Sequence, residues 1–407
     1  MARFQSSFRI FQSHRTAHET GLSFGLAVSI CSRKMKHSGS CSREHECFDV
    51  KLLSMESLGE SIRYFDNLSL FVQVQYSRIR PFTSFQKPKI AFLFIARNRL
   101  PVDLIWDAFF QGAKEPAFSI YIHSRPGFVF NKVTTRCPLF YGCQLNDSIQ
   151  VDWGESSMIE AERILLRNAL KDSLNERFVF LSDSCIPLYN FSYTYDYIMS
   201  SSNSFVDSFA DTKEGRYNPK MDPLIPVVSW RKGSQWAVLT RKHAKVVAED
   251  DTVISVFHQH CKRRSLPEFW RDHSLPTDAS KEHNCIPDEH YVQTLLALKG
   301  LEAELTRRPL THTVWDMSSK DHERRGWHPV TYKHSDATPQ LIHDIKSIDN
   351  IHYETEYRKE WCTNKGMSAP CFLFARKFTR NAAIHLLTHM KYAGEHDDDA
   401  ESEMRSL

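Results

Sequence analysis

No Cys-x-x-Cys pair occurs among the ten cysteines of this 407-residue chain. A zinc ribbon or a thioredoxin-type redox site is therefore not expected. No Gly-x-Gly-x-x-Gly or Walker loop follows the first strand-like run, Ile90–Ala96, so a dinucleotide or P-loop site would lack its phosphate cradle. The formal net charge is only +3, too small to suggest nucleic acid as a partner. No apolar run approaches the about 20 residues that a membrane span needs. The leader holds only a run of 11, Gly21–Cys31, flanked by Arg15 and by Arg33, Lys34 and Lys36. It reads either as a degenerate signal region or as an unstructured leader. Internal repeats are absent.

What is present supports a sizeable core, since 41% of the residues are hydrophobic. An even cysteine count suits disulfides in an oxidising compartment and equally suits reduced thiols, and connectivity cannot be read from spacing. Asn-x-Ser sequons stand at Asn67, Asn146 and Asn190. Residues 1–87 are polar, with little periodicity, and read as a poorly organised leader. Order is expected from Lys89 in a domain over 88–390, followed by an acidic, solvated tail over 391–407.

Within that domain, Ile90–Ala96 is a continuous apolar run of the kind buried on both faces of a parallel sheet. Pro101–Gly112 reads as a helix, Phe118–His123 as a strand, Met158–Leu174 as a helix and Arg177–Asp183 as a third strand. This alternation predicts an α/β fold, a mostly parallel, Rossmann-type sheet flanked by helices. Ligands of such sheets bind beyond the carboxyl ends of the strands. Those ends are Ala96-Arg97-Asn98, His123-Ser124-Arg125 and Ser182-Asp183-Ser184, all short and polar.

The most informative stretch is Pro287-Asp288-Glu289-His290-Tyr291, just before the apolar run Val292–Leu298. It reads as a helix start, with Asp288 as a cap and Glu289 in the first turn, where the helix dipole favours acids. The same geometry can aim one carboxylate into a cleft as a general base. His283, Cys285, Asp288 and His290 match no zinc-ligand spacing. A basic loop, Ser204–Pro226, carries Lys213, Arg216 and Lys220, and an apolar stretch, Cys371–Phe378, carries Arg376 and Lys377. The aromatic-rich segment Pro309–Tyr332 reads as an acceptor lid or as an ordinary surface loop.

These pieces together resemble the core-2/I-branching β-1,6-N-acetylglucosaminyltransferases, glycosyltransferase family 14, and its plant branch in particular. The resemblance rests on Tyr121–Phe128, Val151-Asp152-Trp153-Gly154, Met158–Arg163, Glu176–Leu188, Gly215–Asn218, Trp230–Trp236, Pro287–Tyr291 and Phe374–Phe378, in that order. It implies a GT-A-like fold with a single large catalytic domain. It also implies inverting transfer of an N-acetylglucosamine-like sugar from a UDP-sugar to a glycan or glycoprotein acceptor. Glu289 would be the catalytic base. Asp-x-Asp, the metal-holding motif of many GT-A enzymes, occurs only in the tail at Asp397–Asp399, and the family resembled works without metal. Two basic side chains would then face the leaving diphosphate, implied to be Lys377 and Lys346, the latter standing where the animal enzymes carry arginine. Fixed cations facing developing negative charge can replace a metal.

Nucleotide contacts would come from Ile95, Ala96, Arg97, His123 and Ser124, and acceptor contacts from Arg216, with Lys213 or Lys220 behind it. No cofactor beyond the donor substrate is expected. The family resemblance also implies a Golgi membrane location and membrane association, although no convincing anchor is visible. Cell-wall polysaccharide, arabinogalactan protein and other glycoproteins remain open as acceptors. Two rivals stand beside this reading. One is a catalytically inactive protein of the same fold that binds nucleotide-sugar or carbohydrate. The other is a hydrolase with paired carboxylates, for which adjacent Asp288 and Glu289, about 100° apart on a helix, are poorly arranged.

Overall fold

The computed structural model describes residues 27–33, 45–51, 87–113, 117–211, 216–261, 285–317 and 328–393. Residues 27–33 and 45–51 belong to a first unit, in which Ala27–Arg33 pairs antiparallel with His45–Lys51. This pair falls inside the segment expected to lack organisation, and its Val28, Ile30, Phe48 and Val50 are good strand formers. The rest of that leader, Asn67 and residues 394–407 of the tail lie outside the described residues.

The described residues from Lys87 onward form the second unit, built on a six-stranded sheet. Its strands are β1 (Lys89–Ile95), β2 (Phe118–His123), β3 (Asn175–Ser182), β5 (Ser204–Phe205), β6 (Val238–Thr240) and β7 (Leu305–Thr306), in the spatial order β7-β5-β6-β3-β1-β2. β1 pairs parallel with both β2 and β3, and only β6 runs against its neighbours. β1 is apolar throughout because both faces are covered. Phe92 and Phe94 point to one core, while Ala91 and Leu93 point to the other.

The first core is faced by helices α1 (Asp103–Gln111) and α3 (Phe191–Ser200). The second is faced by α2 (Ser157–Ala169), α4 (Arg241–Glu249), α5 (Thr252–His260) and α6 (Tyr291–Leu298). Helices α7 (Pro339–Lys346) and α8 (Arg380–Ala393) add Ile345, Ala382 and Leu386 to the first core. Phe92, Phe94, Trp106, Phe109 and Phe110 pack edge-on or stacked there. Each such aromatic pair adds about 1 kcal/mol beyond area burial.

Element boundaries follow local hydrogen bonding. α2 stops at Ala169 rather than running to Leu174, because side chains take its last carbonyls. Asn175 Nδ2 donates to Ala169 O at 2.9 Å, and Arg241 Nη2 donates to Leu170 O at 2.8 Å. α4 begins where Thr240 Oγ1 accepts the His243 N–H.

A second, three-stranded sheet positions the site. β9 (Phe374–Arg376) lies between β8 (Thr311–Thr313) and β4 (Ile186–Pro187), parallel to the first and antiparallel to the second. Ala375 stands opposite Ile186, and Phe378 N–H donates to Ser184 O at 2.9 Å. Arg376 and Lys377 are thereby fixed beside the polar exit of β3. Trp106 Nε1–H donates to Cys185 O at 2.8 Å, anchoring the same exit to α1.

Among the described residues, the disulfides Cys261–Cys285 and Cys362–Cys371 close loops in this unit, while Cys137 and Cys185 are buried free thiols. Cys261–Cys285 joins residues 24 apart and ends two residues before Pro287. Closing a loop of that length is worth about 3 kcal/mol. Thermal denaturation of a Cys261→Ser/Cys285→Ser double variant is therefore expected to show a lower Tm than the parent. An unchanged Tm would mean that the bridge carries no stability.

Candidate active site

The ends of β1 and β2 bring Ile95, Ala96, Arg97, His123 and Ser124 together. Ala96 N–H donates to His123 O at 2.9 Å, and Arg125 N–H to Arg97 O at 3.0 Å. Arg97 is exposed, whereas Ser124 is buried and its N–H reaches Ser148 Oγ at 3.4 Å. The His123 ring is also buried. Its Nε2 accepts the Ile149 N–H at 3.1 Å, which puts the ring proton on Nδ1. Burial pushes its pKa down to about 4 despite nearby Asp147, so the ring is neutral at physiological pH. His123 thus carries structure as well as lying at the strand ends.

The acidic motif departs from the expected helix start. Pro287–Glu289 is a separate turn of 3-10 helix, His290 has φ −130°, and α6 begins only at Tyr291. His290 is held out of the helix from two sides. Its ring stacks on Trp230 with centroids 4.4 Å apart, and its Nδ1–H donates to Arg231 O at 2.8 Å. Burial pushes His290 well below its ordinary pKa, so this ring too is neutral.

Asp288 consequently caps nothing, which corrects the expectation. Its carboxyl is buried, and Oδ1 has no hydrogen-bond partner among the described residues. Burial and neighbouring Glu289 push its pKa up to about 7. Glu289, by contrast, keeps 21% of its side chain exposed and pairs with Arg216, Nη1 to Oε2, at 2.6 Å. The structure therefore joins the expected base to the expected acceptor-side cation. Lys220 lies on a short 3-10 turn at Pro219–Met221, and Lys213 lies outside the described residues.

One short segment, Gly233–Trp236, organises the interior behind Glu289. Gly233 N–H donates to Glu289 O at 2.9 Å, and Gln235 Nε2–H donates to Glu162 Oε1 at 3.1 Å. Gln293 Nε2–H donates to Ser234 O at 3.1 Å. No side chain fits at position 233, where a Cβ would lie 1.8 Å from Asp207 O and 3.1 Å from Gln293 Nε2. Trp236 carries the Arg376 guanidinium over its ring at 4.6 Å.

Arg376 stands between two acids and feels the charge of both Asp183 and Asp288. Burial raises the Asp183 pKa, an effect that Ser184, Lys377 and Arg376 oppose. Lys377 is half-buried on the next residue, so it lies near the same acid.

Lys346 is the last residue of α7 and lies against Tyr189. Its ammonium sits 4.4 Å from the centre of the Tyr189 ring. Leu188 N–H meets Leu373 O at the far end of the β4–β9 pairing from Ser184 and Phe378. Partial burial beside Tyr189 lowers the Lys346 pKa.

Sequence reasoning misses Arg376, although it adjoins Lys377 in the chain. It misses Glu162 as well. The available signal is an acid on the apolar face of α2, three residues after Ile159 and four before Leu166, both buried. Among the described residues, no group of three His, Cys, Asp or Glu side chains is arranged to hold a metal ion. Beside Lys377, the flanks of the aromatic-rich segment pair with each other. Asp316 N–H donates to His328 O at 2.9 Å and Val330 N–H to Val314 O at 2.7 Å, while residues 318–327 lie outside the described residues.

Comparison with known proteins finds a distant structural likeness and two sequence matches. LgtC, in a crystal structure of an active-site mutant, aligns over 70% of this chain and 86% of its own, with a TM-score of 0.33 and 11% identity. "Glycosyltransferase BC10" of Oryza sativa subsp. japonica is 73% identical over 302 residues, which is 74% of this chain and 76% of the rice protein. The sequence profile of the Core-2/I-Branching enzyme matches residues 90–346. With the family's profile spanning the sheet and the Pro287–Glu289 turn, and a rice relative this similar, the chain belongs to the core-2/I-branching family of glycosyltransferases.

Proposed function

We propose that the chain transfers an N-acetylglucosamine-like sugar from a UDP-sugar to a glycan or glycoprotein acceptor, with inversion and without metal. The observation that carries this reading is the placement of Glu289. It is a partly exposed carboxylate on a turn held by the Gly233 backbone, with Arg376 facing Asp288 of the same turn and Lys377 next to Arg376 in the chain. Glu289 takes the proton of the acceptor hydroxyl as that oxygen attacks the anomeric carbon. A general base of this kind contributes about 10²–10⁴-fold. Lys377 and Arg376 meet the charge that develops on the departing diphosphate, with Arg376 stiffened by its stack on Trp236. Nucleotide contacts come from Ile95, Ala96, Arg97 and Ser124 at the strand ends.

Arg216 belongs to the acceptor side. Its ion pair with Glu289 gives an incoming hydroxyl a guanidinium donor next to the base that will deprotonate it.

A Golgi membrane location is proposed with this function. The disulfides Cys261–Cys285 and Cys362–Cys371 and the exposed sequon asparagines Asn146 and Asn190 suit an oxidising, glycosylating compartment. Among the described residues, no helix is long and apolar enough to cross a membrane.

Three measurements test the proposal. Glu289→Gln is expected to bind UDP normally and to lose about 10²–10⁴-fold in transfer; equal loss of both would mark Glu289 as structural. Transfer by the parent enzyme is expected to persist in EDTA, and a strict requirement for manganese would remove the cation argument. Lys377→Ala is expected to weaken UDP binding while Lys346→Ala leaves it unchanged. The reverse pattern would return the diphosphate contact to Lys346.

A further inference from the structure

Behind the proposed base lies a second pair of acids that the transfer step has not used. α2 delivers Glu162, 1% exposed, and the Pro287–Glu289 turn delivers Asp288, 5% exposed. Glu162 Oε1 accepts from the Gln235 amide at 3.1 Å. Glu162 Oε2 and Asp288 Oδ1 are both buried and without a hydrogen-bond partner among the described residues. Two ionised carboxylates at such a place would repel each other and lose their hydration, and Glu162 has only the Gln235 amide to compensate. One proton resolves the conflict, because a neutral carboxyl neither repels its neighbour nor loses the hydration of a charge.

We propose that Glu162 and Asp288 are positioning residues of the transfer reaction. They form a buried carboxyl couple that holds a single proton in the working enzyme and so puts one negative charge directly behind Glu289, strengthening it as a base. The inference rests on the reading of Glu289 as the base. The groups facing Asp288 are Glu289 on its own turn, Glu162 from α2, Arg216 from the basic loop and Arg376 from β9. Arg376 balances the couple's charge from the far side, and Gln235 keeps Glu162 oriented.

The titration order follows from burial. Glu162, enclosed and beside Asp288, is pushed well above the usual carboxylate range and keeps its proton. Asp288, pushed up to about 7, is the member that ionises near neutrality. As pH falls through that point, Asp288 takes up a second proton from solvent and the charge behind Glu289 disappears. Transfer is then expected to drop about tenfold, the scale set by one unit charge next to a general base.

The test pairs a spectroscopic with a kinetic readout on the intact chain. Infrared difference spectra at about pH 8 are expected to show a carboxylic-acid C=O band that Glu162→Gln removes and Glu289→Gln retains. Absence of the band from the parent protein overturns the couple, whatever the enzyme does. In the pH profile of transfer from UDP-N-acetylglucosamine, the parent's limb near pH 7 is expected to vanish in Asp288→Asn while UDP binding stays unchanged. Persistence of that limb at the same midpoint would assign it to another group and overturn the positioning role. If Glu289→Gln transfers sugar as well as the parent does, the Glu289 reading falls. The infrared band still decides whether the couple exists.

Discussion

The pairing of β9 with β4 is the constraint on which the site depends. Ala375 and Ile186 are 189 positions apart in the sequence, yet they stand opposite one another, with Phe378 bonded to Ser184 just beyond them. This register takes Arg376 and Lys377 to the exit of β3. A one-residue slip would turn each side chain to the opposite face. β8 holds β9 from its other side, so Arg376 ends a central strand and Lys377 follows it directly, with little freedom to relax.

Charge is arranged around that strand in layers. Lys377 and Arg376 lie near Asp183, Arg376 also faces Asp288, and Asp288 adjoins Glu289, which pairs with Arg216. Each buried charge has an opposite charge nearby, as a low-dielectric interior requires. The Gly233–Trp236 segment is the scaffold of this arrangement. It offers a backbone amide to the Glu289 turn, an amide side chain to Glu162 and an aromatic face to Arg376. Its glycine is dictated by the approach of Asp207.

Local pattern carried much of the fold. The apolar run at Ile90–Ala96 became β1, displaced by a single residue, and Phe118–His123 became β2 without change. The amphipathic stretch at Met158 became α2, shortened at its end by hydrogen bonds from Asn175 and Arg241 that periodicity does not register. The acidic motif was visible, but its shape was not. A proline followed by two acids is the usual mark of a helix start. The stacking of His290 on Trp230, 60 residues away, broke the motif into a turn and a later helix.

The sequence by itself determined the α/β alternation, the polar strand ends and the chemical kinds of residue available for a base and for cations. Those properties are local, written in periods of two and 3.6 residues and in short motifs. Only the tertiary structure decided which of them meet. It set Arg376 and Lys377 beside Asp183 at the exit of β3, since the partner of a strand is not visible in the residues that compose it. It paired Arg216 with Glu289 across 73 positions and buried Asp288 against Glu162. Such long-range pairings depend on loop closure and on packing between distant segments, and neither leaves a periodic trace in the chain.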